Sequence, residues 1–103
     1  MSGANPHRGE AKLTVAGEIL VLRPSFSALV AAEQELGSLF ALVERAAAGG
    51  LLLGEIAALF DHLSAARPPA ITRARIGQAI VELGLAEVTP VLRVVLGQIL
   101  SGK

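Results

Sequence analysis

The chain has 103 residues, and nine Lys/Arg balance nine Asp/Glu to a formal net charge of zero. Apolar residues make up 52% and charged residues 17%, with no cysteine, so disulfides, thiolate metal sites and cysteine nucleophiles are excluded. A composition this apolar is not that of a disordered chain, and zero net charge without a basic cluster argues against a nucleic-acid footprint.

The length suits one modest core, and the expected organisation is a flexible arm over residues 1–9 followed by one domain over residues 10–103. The arm is small and polar, with Pro6 and Gly9, and lacks the apolar segment of a signal peptide. From Ala11 to Arg23 the pattern is β, with Ala16-Gly17 as a two-residue turn. That turn places Val15 opposite Glu18, Leu13 opposite Leu20, and Ala11 opposite Leu22. Leu13, Val15, Leu20 and Leu22 then share an inward face, and Lys12, Thr14, Ile19 and Val21 the other. Glu10 opposite Arg23 would add a cross-strand ion pair.

Pro24 stops the second strand, and Ser25 is an N-cap for a first helix whose stripe is Phe26, Leu29, Val30 and Leu36, closed by Gly37. Ser38 caps a second helix, with Leu39, Leu42, Val43 and Ala46 inward and Gly49-Gly50 as its stop. A third helix follows an extended Leu51–Leu53, carrying Ile56, Leu59, Phe60 and Leu63 at helical spacing. Its polar side carries Glu55, Asp61, His62 and Ser64, of which Asp61-His62 read as a solvated face, and Pro68-Pro69 ends the helix. Thr72 caps a fourth helix with Ile76, Ile80 and Leu83 inward and Gly84 as its stop. The last helix is expected from near Thr89, with Pro90 in its first turn, to about Leu100. The whole is a mainly helical α+β fold: a two-stranded antiparallel hairpin packed on four to five short helices.

Val91, Leu92, Val94, Val95, Leu96, Ile99 and Leu100 wrap most of the last helix. A helix apolar all round is buried on two sides, which leaves two readings: a central core helix, or one shared between the core and a partner chain. On the second reading Val91, Leu92, Val95, Leu96 and Ile99 are candidate partner-binding residues. The 18 alanines explain much of the remaining apolar excess as close-packing filler.

The residues do not assemble a catalytic centre. His7 lies in the arm, and adjacent Asp61 and His62 on a helix point about 100° apart, without a positioned serine. No His/Asp/Glu cluster has metal-ligand spacing, and Gly49-Gly50 and Gly54 lack the Lys-Ser/Thr of a phosphate loop. No cofactor, metal or enzymatic activity is therefore expected. A helix-turn-helix through Gly84 would need a recognition helix with phosphate-binding side chains, and the last helix offers Arg93 alone. Charge-free stretches such as Ala46–Gly54 fall far short of the ~20 residues needed to span a bilayer; no membrane contact and a cytoplasmic location are expected. Glu33 falls on the apolar stripe of the first helix. It reads as a carboxylate at the edge of the core, pairing with the backbone or with Arg23 or Arg8, and not as a catalytic acid, which would need a partner.

Asn5-Pro6-His7-Arg8-Gly9-Glu10, the hairpin turning at Gly17, the run Leu22-Arg23-Pro24-Ser25-Phe26-Ser27-Ala28-Leu29, then Glu33 and Gly37, together resemble the tail-assembly-chaperone-like family of gene transfer agents, phage-like particles encoded in alphaproteobacterial genomes. Arg8, Gly9, Glu10, Glu33 and Gly37 are its most specific positions, and the similarity continues through Arg45, Gly50 and Glu55–Leu63. The Ala16-Gly17 turn and the stiff Pro68-Pro69 linker depart from its pattern. The resemblance implies a non-enzymatic tail morphogenesis protein that binds the tape-measure protein and delivers tail-tube subunits; self-association is expected beside it, from the apolar last helix. The other reading within tail biology is a structural component retained in the particle.

Overall fold

The structure, a computed structural model, describes residues 11–101. The expected arm, the Arg8-Gly9-Glu10 segment and the Glu10–Arg23 pair lie outside the described residues. Strands β1 (Ala11–Val15) and β2 (Glu18–Leu22) pair antiparallel in the expected register, from Ala11↔Leu22 to Val15↔Glu18. Ala16 (φ 52°) and Gly17 (φ 80°) are both left-handed, the combination of a type I′ turn, whose twist matches that of the strands it joins. Leu13, Val15, Leu20 and Leu22 are each at most 4% exposed, so the inward face is the predicted one.

Five helices follow: α1 (Phe26–Leu36), α2 (Leu39–Ala47), α3 (Leu53–Leu63), α4 (Arg73–Leu83) and α5 (Leu85–Ser101). The fold is mainly helical α+β, as the sequence predicts. Ser25, Ser38 and Thr72 each accept a bond from the amide three residues on, at 3.3 Å; such caps contribute about 1 kcal/mol each. Gly37 and Gly84 end α1 and α4 at φ 85° and 87°, donating to the carbonyls of Glu33 and Ile80. The Ser38 corner turns α2 away from α1 by 75°.

Helix α3 occupies the middle. It buries Ile56, Ala57, Ala58, Leu59, Phe60 and Leu63, lying between α1 and α4 and touching β2, while β1 covers α4 and α5. Small side chains set these approaches: a Cβ added at Gly77 of α4 would lie 3.6 Å from the Ala57 Cβ. Helix α1 meets α3 through alanines too, burying Ala32 completely and packing Ala28, Leu29 and Leu36 on the core.

Three expectations change. Phe26, placed on the α1 stripe, is 85% exposed, because the buried line runs through Ala28, Ala32 and Leu36, rotated from the one chosen by side-chain size. Leu83, at the last turn of α4, is exposed as well. Helix α5 begins at Leu85, not near Thr89, so Pro90 sits inside it. The extra turn carries Val88 into the core at 1% exposure. Pro90 removes one ladder bond, while the Thr89 Oγ1 donates to the Leu85 carbonyl at 2.6 Å.

Candidate protein-interaction surfaces

Two surfaces stand out, one charged and one apolar. The charged one joins the C-terminal end of α3 to α1 and α4. Asp61 accepts from the Arg73 Nε and Nη2 at 3.0 and 2.9 Å and pairs on its other oxygen with Arg67. Arg73 continues to Glu35 at 2.5 and 2.8 Å, and the His62 Nε2 lies 2.7 Å from the same carboxylate. Hydrogen bonds from Arg73 and then His62 hold the Glu35 carboxyl at about 2, below its usual 4.5. Glu35 in turn raises the Arg73 guanidinium.

The solvated-face reading of α3 is thereby corrected. Ser64 is 2% exposed and its Oγ donates to the Phe60 carbonyl at 2.7 Å. Arg67 donates to the carbonyls of Asp61, Ser64 and Ile71 at 2.9, 3.3 and 2.5 Å. The bonds to the Phe60, Asp61 and Ser64 carbonyls satisfy the C-terminal end of α3 and place a cation where the helix dipole favours it, and the bond to Ile71 ties in the following loop. The helix therefore stops at Leu63, before the prolines are reached. Glu55 is a second tie: it accepts from the Leu52 N–H at 2.9 Å and pairs with Arg45 of α2, and the Leu52 bond and then Arg45 lower its pKa. A cleft of about 730 Å³ beside Asp61 is lined by Ser25, Thr72, Arg67 and Arg73, but both of those arginines are committed to carboxylates. The network is a clamp on three helices.

The apolar surface lies where α1, α2 and the C-terminal turn of α5 meet. Leu29, Glu33, Leu39, Phe40, Val43, Ile99 and Leu100 line a groove of about 230 Å³. Phe40 is 77% and Leu100 60% exposed. Glu33 accepts a bond from the Leu39 N–H at 3.2 Å, so the expected backbone partner is present, while Arg8 lies outside the described residues; the bond holds the α1–α2 corner that forms one wall.

The residues named from the sequence as partner-binding divide between inside and outside. Val95 and Leu96 are 0% and 8% exposed and belong to the core. Val91, Leu92 and Ile99 are half-buried and packed against it, and Ile99 alone of the five lines the groove. Phe40 went unnoticed in the sequence, although it carried a signal: it is a large aromatic one residue off the Leu39, Leu42, Val43 stripe. Gly37 is a helix terminator, and Glu33 and Gly37 therefore serve the corner structurally.

The fold and its surfaces describe a small helical protein with an apolar groove and a structural ion network. A family model described as phage tail tube protein, GTA-gp10, matches residues 8–102, nearly the whole chain. The protein belongs to this gene-transfer-agent and phage tail family. No curated protein and no solved structure matches the chain.

Proposed function

We propose that this tail protein works without catalysis, as an assembly chaperone that shields an apolar segment of a tape-measure or tail-tube protein while the tail is built. The observation that carries this reading is the groove between α1, α2 and α5, with Phe40 and Leu100 exposed on its rim. Contiguous exposed apolar side chains at such a place mark interaction sites, and an amphipathic helix laid in a groove is a recurrent mode of capture. Neither side chain belongs to the buried core, so both are free to meet a partner.

The second reading, a component retained in the particle, is favoured by the family's description as tail tube protein. Mass spectrometry of purified particles separates the two. A chaperone is absent from finished tails or present in traces; a component appears in many copies per particle. Co-expression with a tape-measure fragment gives the complementary result: wild-type protein keeps the fragment soluble, and F40D/L100D protein, still folded, does not. A folded double variant that retains full solubilising activity rejects the groove.

A further inference from the structure

Helix α2 is the helix the clamp leaves out. Glu35 lies on α1, Asp61 and His62 on α3, and Arg73 on α4, so those three are tied to one another and α2 is not. Its one substantial neighbour among the described elements is α1, and it buries a single side chain, Leu42. Leu39, Val43 and Ala46 are only half-buried against the core. Gly37 and Gly49 flank it at φ 85° and 76°, and a Cβ on either would meet nothing within 4 Å. Both ends therefore have backbone that can turn without a collision, as hinges require. The root of the first hinge is fixed, because Glu35 is clamped two residues before Gly37. At the far end the hold is one ion pair, Arg45 to Glu55 at 2.6 Å, with the arginine side chain 41% exposed.

Leu39, Phe40 and Val43 of this helix form one wall of the apolar groove. At about 230 Å³ the groove is smaller than the roughly 300–1,000 Å³ of ordinary ligand pockets, whereas a docked helix inserts anchors at i, i+3 or i+4, and i+7. Of the three walls, α1 is clamped and α5 is rooted in the core by Val95 and Leu96, which leaves α2 to move. We propose that α2 is a flap, hinged at Gly37 and Gly49 and latched by Arg45 on Glu55, whose outward swing widens the groove for the apolar face of a partner helix. The gating role rests on the chaperone reading, whereas the swing is a property of the free chain and is tested without a partner.

Native-state amide exchange on the full chain tests the swing. Released from the core, a nine-residue helix is shorter than the ~12 residues needed to persist alone, so Val43, Glu44, Arg45 and Ala46 should exchange together. They should do so at least about 100-fold faster than Leu59 and Phe60 of α3. Ile80→Val, a mild core change in α4, should speed Leu59 and Phe60 about two- to tenfold and leave the α2 amides unchanged. Glu55→Gln keeps an oxygen for the Leu52 N–H but removes the charge facing Arg45, and should speed the α2 amides about two- to fivefold. With the tape-measure fragment as probe, the same substitution should tighten apparent binding by that factor, since more of the protein is open. Amides of α2 as slow as those of α3, or accelerated in step with them by Ile80→Val, overturn the flap. So do α2 amides indifferent to Glu55→Gln, which remove the latch. Faster exchange with unchanged or weaker binding overturns the gating. A fragment that wild-type protein does not bind sinks the chaperone reading and the gating with it, while the exchange rates still decide the flap.

Discussion

Helices α3 and α5 are the two most apolar in the sequence, yet they hold the fold together differently. Helix α3 buries six residues and is bordered by α1, α4 and β2, whereas α5 buries Val88, Val95 and Leu96 against α4 and β1. Being apolar on every side did not make α5 the centre. What made α3 the centre was a moderate stripe combined with alanines that let two helices approach closely, and a charged C-terminal end that ties those same helices together. The surplus on α5 goes to its last turn, where Ile99 and Leu100 form one wall of the groove.

The sharpest way to break this contrast is at the buried positions. Phe60→Ala in α3 should cost about 3–5 kcal/mol, and Val95→Asp in α5, which puts an unpaired charge at a fully buried site, should cost at least about 3 kcal/mol; urea denaturation measures both. A Val95→Asp protein of wild-type stability would show that α5 does not enter the core. Next comes the clamp: Asp61→Ala leaves two arginines without their shared carboxylate and should cost about 1–3 kcal/mol. The sign of the Glu35 contribution follows from its lowered pKa. It is complete above the unfolded value of 4.5 and lost as pH falls toward about 2, so Glu35→Gln should flatten the decline of the urea midpoint across that interval.

Smaller effects sharpen the comparison. Gly77→Ala should stabilise by about 0.5–1 kcal/mol through helix propensity, because the added methyl meets Ala57 at an ordinary contact distance of 3.6 Å. A destabilised variant would mean that the α3–α4 seam is tighter than that contact implies. Phe40→Asp and Leu100→Asp should change stability least, within about 0.5 kcal/mol, since both are already mostly in water. Thermal melts of these two check that the α5 wall is surface and not core.

The local devices were legible because each depends on few neighbouring residues. The I′ turn, the three Ser/Thr caps and the Gly37 and Gly84 stops all lie where short-range chemistry puts them, and the turn alone set the hairpin's register. Phe26 and Leu83 were misplaced because periodicity gives the angle between residues and not the direction of the core; on α1 the direction was set by alanines meeting α3. The α5 boundary moved for a similar reason, as Val88 needed a helical turn to reach the core and the cost at Pro90 was accepted. The charged clamp was illegible, since Glu35, Asp61 and Arg73 come from three helices and no spacing joins them.

By itself, the sequence determined the elements, their caps and the inward face of the hairpin, because hydrogen bonds over three or four residues and a two-residue period leave few alternatives. It also determined that the apolar excess exceeds what alanine explains. Only the tertiary structure decided which side of each helix is covered, and therefore that Val95 and Leu96 belong inside while Phe40 and Leu100 stay in water. The physical reason is that burial depends on the packing of whole elements against each other, and hydrophobicity along one helix does not specify which neighbour will arrive.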